Sequence, residues 1–93
     1  MLTATSAFTK IESLPEGECE LFILCRGLGD DSVKYNPKDK DSLERAAKKF
    51  EGATQGERRM AGIAVGGKGE LKHTQTFDPS AKGHVVVAPI AGG

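Results

Sequence analysis

The sequence predicts an α+β domain: a mixed sheet of four or five strands with one helix crossing it. Three stretches carry that prediction. Residues 19–25, CELFILC, put apolar side chains on both alternating faces, which suits a central strand covered on two sides. Residues 84–90, HVVVAPI, repeat the property with a run of valines. Between them, DKDSLERAAKKFEG sets Leu43, Ala46, Ala47 and Phe50 at i, i+3, i+4 and i+7, one apolar stripe along a helix.

The remaining elements follow in chain order. Residues 1–18 carry weak alternation (Leu2, Ala4, Phe8, Ile11, Leu14) and a Pro-Glu-Gly turn at 15–17, and read as an arm or an extra edge strand ahead of the domain proper, 19–93. In the first strand Cys19, Leu21, Ile23 and Cys25 share one face, Phe22 and Leu24 the other. LGDD at 28–31 turns the chain into SVKYNP, whose Val33 and Tyr35 alternate with polar residues, giving a hairpin. The helix has its own boundary signals. Asp41 with Glu44 fits a capping box, Lys48 and Lys49 suit the negative end of the dipole, and Gly52 fits a left-handed C-terminal cap, for about three turns. A second hairpin is expected from MAGIAV and ELKHTQTF across the glycine cluster 66–69, with Leu71, His73, Gln75 and Phe77 on one face. DPSAKG at 78–83 is a turn by composition. In the last strand Val85, Val87 and Pro89 lie on one side and Val86 and Ile90 on the other, and Pro89, lacking a backbone donor, ends the pairing. The first and last strands are the natural central pair.

Composition narrows the function classes. In 93 residues, 13 lysines and arginines balance 13 aspartates and glutamates, so no strong basic field exists to hold nucleic acid or an anionic membrane. The apolar runs are too short to span a bilayer, and the first twenty residues lack the pattern of a signal peptide; a cytoplasmic protein is expected. Cys19 and Cys25, at the two ends of one strand and roughly 20 Å apart, cannot bridge. Both read as small apolar strand residues, with Cys25 beside Arg26 the better candidate for a reactive thiol. GIAVGGKG at 62–69 approaches a phosphate-binding loop, but Gly69 stands where the hydroxyl should be and a strand pattern follows, so it reads as a hairpin turn. His73 and His84 have no partners at zinc spacing and read as surface or rim histidines. Glu57, Arg58 and Arg59 with Lys48 and Lys49 read as a solvated face. No nucleophile with a base and no metal cluster is visible, so no catalytic or metal residues are assigned and no enzyme activity is expected.

The order strand, strand, helix, strand, strand, strand, with the outermost two in sequence at the centre, is the β-grasp (ubiquitin-like) arrangement. With VVVAPIAGG at 85–93 it resembles the ubiquitin-like sulfur carriers, such as the molybdopterin synthase small subunit and the thiamin-pathway carrier. The likeness covers 19–93 as topology and 85–93 as a motif; the arm of 18 residues and the turn before the last strand depart from it. What the resemblance implies is a carrier terminus at Gly92 and Gly93 and a partner-binding exit at Val87, Pro89, Ile90 and Ala91. No cofactor would be held by the chain itself. ATP would be used by an adenylyltransferase partner, with a sulfur-accepting enzyme downstream. Glycines at 92 and 93, without Cβ atoms, allow the backbone into a narrow channel. A weaker resemblance joins the β-grasp domain of phage tail-assembly proteins. It implies an assembly component, virion-associated, using edge strands and the N-terminal arm for contacts with its own or other subunits.

Overall fold

A computed structural model of the chain describes residues 4–25, 29–56 and 60–87, without the side chains of residues 4, 25, 29 and 30. The elements run α1 (Ala4–Glu12), β1 (Cys19–Cys25), β2 (Gly29–Tyr35), α2 (Lys40–Gln55), β3 (Ala61–Val65), β4 (Leu71–His73) and β5 (Gly83–Val87). The five strands form one mixed, open sheet in the order β2-β1-β5-β3-β4. β1 and β5 are parallel neighbours, Glu20 opposite Gly83 through Leu24 opposite Val87, while β1–β2, β3–β5 and β3–β4 are antiparallel. The first and last strands are thus paired near the centre of the sheet, as their two-faced apolar pattern requires.

Each sheet face has its own helix. On one, Leu21, Ile23 and Val86 pack with Tyr35 and with Ala46 and Phe50 of α2. On the other, Phe22, Val65 and Val85 pack with Ala7 and Ile11 of α1. The expected arm or edge strand at 1–18 is therefore corrected: residues 4–12 are helical, and the sheet is crossed by two helices rather than one. Ala7 and Ile11, one turn apart, are fully buried. The spacing Ala4, Phe8, Ile11 fits a 3.6-residue period, which the looser alternation had masked.

The stripe on α2 stands as read, with Ala46 and Phe50 buried and Leu43 and Ala47 half-buried. Both of its ends lie beyond the predicted ones. The N-cap is Asp39, not Asp41: its backbone is extended, Oδ1 accepts from the Asp41 N–H at 3.2 Å and its carbonyl accepts from Leu43 N–H at 3.0 Å. Asp39→Ala is expected to cost about 1 kcal/mol in a urea melt. At the other end the helix runs through Gly52 to Gln55. Tertiary contacts carry the extra turn, because Thr54 Oγ1 and Gln55 Nε2 both donate to the Gln75 carbonyl.

The second hairpin forms with Val65 opposite Leu71, but its outer strand is only three residues, all exposed. Gly69 turns it at φ +85°, a conformation that favours glycine. Phe77, expected on that strand, instead packs against the α2-face core. β2 begins at Gly29, so Asp30 and Asp31 belong to the strand rather than to a turn.

Candidate functional site

The sequence-predicted site is the exit of β5. Its run of valines takes the extended, half-crowded conformation that β-branched residues favour. Val87 closes the strand, opposite Leu24 of β1 and Ala61 of β3. It is half-buried and packs, with Leu24, against the α1-side cluster. The other predicted site residues, Pro89, Ile90, Ala91, Gly92 and Gly93, lie outside the described residues, as do Arg26 and the Glu57–Arg58–Arg59 stretch. What the fold supplies is a central strand whose last described residue lies between the C-terminal end of β1 and the N-terminal end of β3.

A second cluster was not foreseen. His84, read as a rim residue, has no exposed surface. It sits between Leu21 on β1 and Ala64 on β3, on the α2 face. Its ring lies flat on Phe77, centroids 4.4 Å apart at 19°, and edge-on to Phe50 at 4.9 Å. Both ring nitrogens are engaged. The backbone N–H of Asp78 donates to Nε2 at 3.1 Å, and Nδ1 lies 2.8 Å from the Tyr35 hydroxyl. A nitrogen that accepts carries no proton, so the neutral ring is the Nδ1–H tautomer, and Nδ1–H donates to Tyr35 Oη. A polar residue in a central strand needs such partners; that demand was the available signal, but it does not name the donors.

Burial is the main influence on the His84 pKa and pushes it down to about 4, with the Asp78 charge opposing. Burial likewise raises the Tyr35 hydroxyl, reinforced by Cys19 and Asp78. With Tyr35 only 3% exposed, this pair is closed to a substrate; it is a structural network. An unfolded histidine binds its proton near pH 6.5, whereas the folded ring does so only near 4. Stability is therefore full above 6.5 and is expected to fall by about 3 kcal/mol between pH 6.5 and 4. Urea melts across that range check it, and His84→Gln should flatten the slope. The carboxyls of Asp31, bonded by Lys49, and Asp78, bonded by Ser80, are held below the usual range and act at lower pH.

Cys19 is buried, and its thiol faces the Ala81 carbonyl at 3.8 Å. Burial raises its pKa against the pull of Lys82, which disfavours a thiolate. Among the described residues, no group of three or more His, Cys, Asp or Glu is placed to hold a metal ion, and no helix is long and apolar enough to cross a membrane. In comparison with known proteins, no family model, no curated protein and no solved structure matches this chain.

Proposed function

We propose that the chain is a ubiquitin-like β-grasp module that works through protein contacts and presents the segment after β5 to a partner. The observation that supports this reading is the strand order β2-β1-β5-β3-β4 with β1 and β5 parallel and α2 crossing between the two hairpins. In that arrangement the last described strand lies at the centre of the sheet and reaches Val87, after which the sequence reads Ala-Pro-Ile-Ala-Gly-Gly. As a sulfur carrier, the Gly93 carboxylate would attack the α-phosphate of ATP on an adenylyltransferase, releasing pyrophosphate. Hydrosulfide would then attack the acyl carbon and AMP would leave, giving a thiocarboxylate. This requires Gly93 to be the carboxyl end of the mature protein, which intact mass determines. Incubation with an adenylyltransferase of this class, ATP and sulfide should add the mass difference between sulfur and oxygen at Gly93; an unchanged mass rejects the carrier.

A second reading, an assembly component, is favoured by the two-sided covering of the sheet. With α1 on one face and α2 on the other, contacts fall to the edges and the exit segment. The β2 edge carries a blocking device: the Asp31 carboxylate accepts from Ser32 N–H at 2.9 Å and from Lys49 at 2.7 Å, and a charge placed there works against pairing with another strand. The β4 edge instead offers Leu71, 54% exposed. Leu71→Asp should then weaken assembly while deletion of Gly92 and Gly93 leaves it intact. A carrier would show the reverse pattern.

A further inference from the structure

The segment between β4 and β5 is fastened unevenly. At its start Thr74 N–H donates to Gly62 O, and the Gln75 carbonyl accepts from Thr54 and Gln55. At its end Lys82 N–H donates to Val65 O, and Ala81 O accepts from the Cys19 thiol. Between these ties, Phe77 to Ser80 form a self-contained turn, with Asp78 Oδ1 accepting from both the N–H and the hydroxyl of Ser80. Among the described interactions, two things hold this turn to the body of the protein: the Phe77 ring, lying on His84 and edge-on to Tyr35 and Phe50, and the bond from Asp78 N–H to His84 Nε2. The backbone bond and the one stacked ring contact run through one imidazole; the edge contacts of Phe77 with Tyr35 and Phe50 do not.

We propose that His84 is a proton-operated latch: the neutral ring fastens the 77–80 turn over the α2 face, and the ring protonated at Nε2 releases it while the sheet stays paired. The stereochemistry is direct. Nδ1 already carries a proton, so the incoming one goes to Nε2 and sets an N–H against the Asp78 N–H. Two donors facing each other cannot bond, and a buried imidazolium needs solvent or an anion. The ionisable groups around it are few. Tyr35 on β2 faces Nδ1, and Cys19 on β1 stands beside Tyr35. Asp78 on the turn reaches His84 with its charge, and Lys72 of β4 in turn acts on Asp78. Phe50 of α2, Leu21 of β1 and Ala64 of β3 carry no charge. Asp78 is therefore the anion that the imidazolium finds, and reaching it means turning the 77–80 segment away from its neutral-state seat. Because the ties at 74–75 and 81–82 do not involve His84, the turn can lift between fixed ends. Phe77 and Pro79 also wall a groove of about 380 Å³ whose other side includes Leu43 and Ala47 of α2, so release opens that groove.

The test is ¹⁵N-resolved NMR on the full chain between pH 7 and 3.5. The His84 side-chain nitrogens should show the Nδ1–H tautomer at pH 7. As His84 titrates, the amides of Phe77, Asp78 and Ser80 should move with the same midpoint, reaching a released-to-fastened ratio of about ten to one a pH unit below it, while the amides of Phe22 and Val86 keep their native positions. His84→Gln should hold the turn resonances constant down to pH 4. The proposal is overturned if all amides move together, if His84 titrates without the turn following, if the neutral ring is the Nε2–H tautomer, or if the acid response of the turn persists in His84→Gln. Should that variant not fold, the wild-type spectra decide alone.

Discussion

Phe50→Ala is expected to lower unfolding stability by about 3–5 kcal/mol, the range for truncating a buried phenylalanine, and the melting temperature by at least about 12 °C in a domain of this size. Phe50 is fully buried. Its ring is edge-on to His84 at 4.9 Å and to Phe77 at 6.0 Å, so it supports the histidine and the turn stacked upon it. It also fills space that Gly62 leaves open, since a Cβ at position 62 would lie 2.6 Å from Phe50 Cζ. The cavity left by alanine is bounded by strands and by a second aromatic, neither of which can collapse into it cheaply. Chemical and thermal melts followed by circular dichroism give the value, and a loss under about 1 kcal/mol would contradict this packing. Phe50→Leu, which retains most of the volume, should lose much less.

Gly83→Ala should be nearly as damaging, for a different reason. A Cβ there would stand 2.7 Å from the Glu20 carbonyl oxygen and 2.7 and 2.8 Å from Ile11 Cγ2 and Cδ1. One methyl group therefore presses on the parallel β1–β5 pairing and on the seat of α1 together. A cost of about 3 kcal/mol is expected, at the upper end for overpacking, because the carbonyl cannot move without breaking register. Ile11→Ala alone should cost about 2–4 kcal/mol and loosen α1, which has only nine residues and so draws its stability from docking. Combined, the two substitutions should cost less than their sum, since the smaller side chain at 11 relieves part of the clash. Strict additivity would mean that the Glu20 carbonyl is the whole obstacle.

These expectations rest on features that were unequally visible in the sequence. The two-faced pattern of residues 19–25 and 84–90 was enough to put those strands at the centre of the sheet, because a strand apolar on both sides has no stable place at an edge. The helical stripe at Leu43, Ala46, Ala47 and Phe50 was equally plain, since it is a local period. The same pattern held a clue that was missed: Phe22 and Leu24 demanded a cover, and Ala7 and Ile11 had the spacing to supply it. The start of α2 was misplaced because Asp39 and Asp41 are chemically alike. Only the surrounding turn, with Asn36 O accepting from Asp39 N–H at 2.8 Å, decides which of them is extended and able to cap.

Of the candidate site, the central position of the last strand was legible in the run of residues 84–90, because alternation and β-branching are properties of neighbouring residues, while its pairing through Val87 with both β1 and β3 came from the fold. The role of His84 was decided by tertiary structure alone. Its partners are a hydroxyl 49 positions earlier and a backbone amide, and an amide is a donor that every residue but proline carries and that no side-chain pattern reveals. Folding brings Tyr35, Phe50, Phe77 and Asp78 around one ring, and that enclosure removes the water that would make a surface histidine ordinary.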